Sequence, residues 1–215
     1  LNRFQYHYSV KDLFRLQRDV YELPEKLVVR RDRYIPLTTG KMPETVQVAP
    51  QMLQPAPVLR EVKAFPKDLR AEHGFDNQAS QLTLSPLLLD AFLRLSVSIV
   101  ESPDFDAQTV GIWNEFFAPP AADVDVASEV NRRLKSFLRR AFRGPVDDAT
   151  VRRYSDYVAA KQQQGLSFTD AMKKVAAAVL CSPRFLYRAE GTNVDDAAFA
   201  LASKLSFFLW SSGPD

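Results

Sequence analysis

Three groups of residues in this 215-residue chain are of types that do chemistry. The first is His73, Asp76 and Asn77, in the stretch His73-Gly74-Phe75-Asp76-Asn77. An imidazole beside a carboxylate at the entrance to a helix has the makings of a general acid/base or ligand cluster. The same residues also suit a structural turn, in which Gly74 permits a tight bend and Asp76 and Asn77 bond nearby backbone. The second group is Asp76 with Asp104 and Asp106, hard oxygen donors of the kind calcium takes, at a spacing that matches no known loop. The third is Trp113 with Phe116 and Phe117, which reads as a sugar-stacking platform or as interior packing.

Other residues are weighed against these. Arg132, Arg133, Lys135, Arg139, Arg140 and Arg143 crowd one short stretch. A basic helix over 131–143 could meet nucleic acid, but no base-stacking or groove-reading motif accompanies it. The preferred reading is a solvated face, or one docked on the acidic middle segment of the same chain. Arg184 and Arg188 with Glu190 and Asp195 could form a buried ionic cluster at a domain junction. Cys181 is the one cysteine, which excludes an internal disulfide and any multi-cysteine metal site. At the end of an apolar run it reads as a buried, inert thiol.

The elements that must hold these residues are helical. Hydrophobic residues make up 46 % of the chain and charged residues 25 %, an ordinary globular balance that argues against disorder. No apolar run reaches the roughly 18 residues of a membrane span, so no transmembrane segment is expected. Charge is unevenly spread: residues 1–70 carry a net +5, residues 71–128 a net −8 and residues 129–215 a net +5. An acidic middle between basic flanks implies attraction within the molecule, with no nucleic-acid partner needed.

A helix is expected over 1–16, capped by Asn2, with Phe4, Tyr8 and Asp12 recurring at a four-residue spacing beside Leu13, Phe14 and Leu16. Residues 23–66 are broken by seven prolines from Pro24 to Pro66. This predicts an extended insertion that can carry short edge strands at Leu27–Val29 and Thr45–Val48. Ser85-Pro86 then starts a central helix whose face is Leu88, Phe92, Leu95 and Ile99, broadened by Leu89, Leu93 and Val100. Further helices follow from Val130 to Ala141, after an Asp147 cap with a Val146/Val151 staple, and after a Ser167/Asp170 capping box. A last one, opening at Asp195 or Asp196, carries Leu201, Leu205, Phe208, Leu209 and Trp210. The class is all-α and bundle-like: a first helical domain over 1–117, a linker over 118–128, a second helical domain over 129–192 and the truncated start of a third over 193–215. The chain begins at Leu1 and stops just after an apolar stretch; both ends read as cut, as in an internal piece of a longer protein.

The motifs carry a resemblance. Leu1-Asn2-Arg3 with Tyr6 and Lys11-Asp12-Leu13, then Gly74-Phe75-Asp76-Asn77 and Leu84-Ser85-Pro86-Leu87-Leu88-Leu89, resemble the first of a chained set of domains of unknown function. These are the PSD/PSCyt series of planctomycete-type multidomain proteins associated with c-type cytochrome domains. Phe137-Leu138-Arg139-Arg140-Ala141-Phe142-Arg143, with Val179-Leu180-Cys181-Ser182-Pro183-Arg184-Phe185-Leu186-Tyr187-Arg188, is similar to the second. Leu201 to Asp215 resembles the opening of the third. Two departures are the length of the proline-rich segment and Gln5 where an acidic residue is usual.

The resemblance implies an exported, periplasmic or otherwise extracytoplasmic parent with a redox context. It implies partners among the other domains of that parent, a c-type cytochrome domain included. Covalent haem c would lie elsewhere in the parent, because one cysteine cannot form a Cys-x-x-Cys-His attachment. No cofactor is expected in this portion, and the series has no established catalytic residues to carry over. The expected role is a helical scaffold; the alternatives are part of an enzyme on a polymeric or carbohydrate substrate, and nucleic-acid binding through 131–143.

Overall fold

Asn2 starts the first helix by closing a capping box: its side chain accepts from the Gln5 N–H at 2.8 Å, and Gln5 Oε1 accepts from the Asn2 N–H at 3.2 Å. Gln5 serves here as well as an acidic residue would. The computed structural model describes residues 1–23, 57–65, 86–187 and 194–214, with side chains from 197 onward in the last stretch. Its helices are α1 (Arg3–Phe14), α2 (Pro86–Glu101), α3 (Val126–Ala141), α4 (Asp148–Gln163), α5 (Phe168–Leu180), a single-turn α6 (Pro183–Leu186) and α7 (Val194–Trp210). A π-helical turn, Trp113–Phe117, lies between α2 and α3. The fold is all-α, with no strand among the described residues beyond two isolated bridges, Leu16 with Val110 and Asp19 with Val58. The strands expected at Leu27–Val29 and Thr45–Val48 lie outside the described residues.

The caps stand where their chemistry places them. Asp125, Asp147, Ser167 and Ser182 each accept from a backbone N–H in the first turn of α3, α4, α5 and α6. Pro86 and Pro183 each hold the first helical position, where no amide hydrogen is needed.

Burial departs from the expected pattern at α1. The expected line Phe4, Tyr8 and Asp12 is half-buried to exposed, and the buried residues are Tyr6, His7, Ser9, Val10, Leu13 and Phe14. The reason is that α1 threads between two aromatic clusters. Tyr6 meets Phe92 at 5.4 Å, Phe65 at 5.8 Å and Phe185 at 5.7 Å. Two turns on, Phe14 meets Phe105 at 5.3 Å, Phe117 at 5.9 Å and Phe137 at 5.8 Å. Offset and edge-on aromatic pairs at such distances stabilise by about 1 kcal/mol each beyond the area they bury.

Helix α2 lies along α5; α5 also packs on α4, and α4 on α3. Phe92, Leu95, Ile99 and Val100 point inward from α2. Leu89 and Leu93, expected to broaden that face, stand exposed with Leu87. The expected linker 118–128 lies mostly at the surface, but the core does not stop there: one continuous apolar cluster takes in Tyr6, Phe14 and Ile99 together with Leu134, Val158, Val175 and Leu180.

Candidate interaction surface

Of the residues singled out for chemistry, Asp104, Asp106 and Trp113 share the segment between α2 and α3, each in a separate role. His73, Asp76 and Asn77 lie outside the described residues. Both oxygens of Asp104 accept from Arg60: its backbone N–H at 3.0 Å and its guanidinium at 3.1 Å, with Arg18 3.7 Å away. These bonds hold the Asp104 carboxyl below the usual carboxylate range. Asp106 closes its own turn through the N–H groups of Gln108 and Thr109. Among the described residues no three His, Cys, Asp or Glu side chains gather as a metal ion requires. Trp113 packs against the core in the π-turn, 5.5 Å from Phe117. The Lys173 ammonium sits 5.4 Å from the Trp113 and Phe105 rings and donates to the Phe105 carbonyl.

The half-buried Cys181 thiol donates to the Ala178 carbonyl at 3.4 Å, and burial pushes it above its ordinary pKa, as expected of an unreactive thiol.

The basic stretch is divided in a way its sequence does not announce. Arg132 pairs with Glu129, Lys135 pairs with Asp148, and Arg139 faces outward. Arg133 and Arg143 are buried, which corrects the expectation of one solvated face. Arg133 donates to Glu129 at 2.6 Å and to the carbonyls of Phe116 and Ala118 at 3.1 and 2.7 Å, with its guanidinium 5.4 Å from the Phe168 ring. It ties α3 to the π-turn of the middle segment through backbone carbonyls, with its one carboxylate partner on α3 itself. Hydrogen bonds from Arg132 and then Arg133 pull the Glu129 carboxyl down to about 2.

Arg143, expected as one cation of the run, instead joins α6 to α7. Its Nη2 donates to the carbonyls of Arg184, Phe185 and Tyr187 at 3.1, 2.9 and 2.6 Å. Its guanidinium carbon is 5.7 Å from the Phe185 ring centroid and 5.5 Å from that of Phe207. The signal that could have revealed it is the phenylalanine-rich setting of Phe142-Arg143-Gly144-Pro145 at a helix end. Arg184, expected in a buried cluster, is exposed; it lies over Phe142 at 4.7 Å and reaches the Pro145 carbonyl. Arg188, Glu190 and the Asp195 side chain lie outside the described residues.

The surface with most to offer a partner is on α7. Ser203, Ser206 and Phe207 are its buried residues, whereas Leu201, Leu205, Phe208, Leu209 and Trp210 are exposed, Phe208 by 85 %. At 100° per residue Leu201, Leu205, Phe208 and Leu209 form one stripe, with Ala198 within it and Ala202 at its edge. The polarity is the reverse of an ordinary surface helix: serines face the body and large apolar side chains face out. A second feature is an open groove of about 880 Å³ between α3 and α4, lined by apolar Val130 and Val151 and by Arg132, Lys135 and Arg152 against Asp125, Asp148 and Asp156. Its opposite charges balance, and it gathers no set of like groups. No described helix is long and apolar enough to cross a membrane.

Neither curated proteins nor solved structures yield a match to the chain. Two family models do match. Residues 53–102 match PSD3, protein of unknown function (DUF1587), and residues 129–190 match PSD5, protein of unknown function (DUF1595). The first stretch contains α2 and the second runs from within α3 past α6, so these two sequence units pack on one another through α2 and α5. Over both stretches the chain is therefore similar to domains of the PSD series, to which no function is attached.

Proposed function

We propose that this chain is a non-catalytic helical scaffold portion of an exported protein associated with c-type cytochrome domains. In this reading α7 is the face through which it holds the next domain of the same parent chain. The observation that carries the reading is the outward apolar stripe of α7, since large exposed apolar patches mark interaction sites. Its support from sequence is the resemblance of residues 201–215 to the opening of a third domain of the series. Covalent haem c would be carried by another part of the parent, and the compartment would be periplasmic or otherwise extracytoplasmic. The chain's own contribution is rigid placement: aromatic clusters around α1, and buried Arg133 and Arg143, fix the elements that present α7.

The test of export and redox context is the parent open reading frame. A signal peptide and a Cys-x-x-Cys-His segment outside these residues are expected, and the absence of both would contradict the reading.

A further inference from the structure

We infer that Arg143 is a latch that sets the position of α7 and thereby the presentation of its apolar stripe; this rests on the docking role proposed for α7. The backbone places the residue. Helix α3 ends with Arg143 in the left-handed region, φ 57°, and the Gly144 N–H closing on the Arg139 carbonyl at 3.2 Å. Glycine adopts that conformation without steric cost, yet here it is taken by the arginine beside a glycine. The side chain this retains is only 8 % exposed. Its Nη2 is committed to the three carbonyls at the end of α6, and its guanidinium carbon lies over the Phe207 ring, 5.5 Å from the centroid.

The attachments of α7 converge on this group. Among the described residues no other helix packs along the length of α7. Its buried side is mostly serine, so hydrophobic burial contributes little besides Phe207. The chain after α7 turns back through Ser211, φ 57°, with the Ser206 hydroxyl donating to the Ser212 carbonyl at 2.7 Å. That turn brings Gly213 against the Arg143 stem, where an added Cβ would lie 3.4 Å from Arg143 Cγ and Cδ. A planar guanidinium can donate in its plane and stack on its face together; a lysine ammonium cannot do both. Arg143 is thus a positioning residue, holding α7 to α6 while leaving the stripe free.

Hydrogen exchange followed by mass spectrometry on the whole chain tests this, comparing wild type with Arg143→Lys, Arg143→Gly and Phe207→Ala. The expected result is that amides within 199–210 exchange about tenfold faster or more in all three variants, while α3 and α5 keep their protection. Arg143→Gly eases the backbone, so faster exchange there would assign the effect to the side chain. Unchanged α7 protection in Arg143→Lys and Phe207→Ala would overturn the latch. So would loss of protection in α3, α5 and α7 together in Phe207→Ala, which leaves the α6 carbonyl bonds in place and is decisive should the Arg143 variants fail to fold. Because exchange is read on the chain alone, this outcome is independent of whether α7 docks another domain.

Discussion

At the scale of single residues, three arginines stand out as connectors among the described residues. Arg60, Arg133 and Arg143 each join segments far apart in sequence by donating to carbonyls or to a held carboxylate. The basic run is legible in the sequence but its division is not, because burial of a cation is decided by which carbonyls the fold brings within reach. Glu129 gives this a measurable consequence. Its folded pKa of about 2 lies below the ordinary 4.5, so the unfolded chain binds the extra proton first. Its contribution to stability is present above about pH 4.5 and is lost as pH falls towards 2. Chemical denaturation across that window is expected to show a steeper acid loss in wild type than in Glu129→Gln; equal slopes would contradict the pairing. Asp104, Asp125 and Asp147, also depressed, add loss of the same sign in both proteins.

At the scale of elements, what was legible was local. Asn2, Asp147 and Ser167 cap the helices their spacing suggested, because a cap needs only its own first turn. Asn2→Ala is expected to lower stability by about 1 kcal/mol in thermal or denaturant unfolding. What was not legible was which face turns inward. The i, i+4 line of α1 pointed to Phe4 and Tyr8, while two aromatic clusters capture Tyr6 and Phe14. The π-turn likewise follows from neighbours: consecutive Phe116 and Phe117 both enter the core, stacked on Phe137 and edge-on to Phe105. Gly111 shows the tolerance of this packing. A Cβ there would stand 2.8 Å from Arg15 Cβ and 2.9 Å from the Arg15 carbonyl oxygen, beside the left-handed end of α1. Gly111→Ala is therefore expected to destabilise by roughly 1–3 kcal/mol, and a neutral result in the same unfolding assay would show that the α1 end yields easily.

At the scale of the molecule, the sequence units and the packing differ. Residues 53–102 and 129–190 match separate families, yet α2 of one lies on α5 of the other and a single apolar cluster runs through both. The stretch 126–187 produced alone is expected to unfold at a lower midpoint and less cooperatively than the same helices in the whole chain, since α5 would lose its cover. The all-α class was readable from helical periodicity and proline placement, whereas the shared core depends on long-range partners that no periodicity encodes. The outward stripe of α7 was visible as apolar residues but not as exposed ones.

That stripe is the centre of the functional proposal, and accessibility at Leu205 measures it most directly. Leu205 is 53 % exposed, so Leu205→Cys on a Cys181→Ala background places a thiol on the stripe with little effect on the fold. Its maleimide labelling rate is compared between this chain and the full-length parent. The expected result is labelling at least about tenfold slower in the parent, where the next domain covers α7. Equal rates in the two proteins would contradict the docking role.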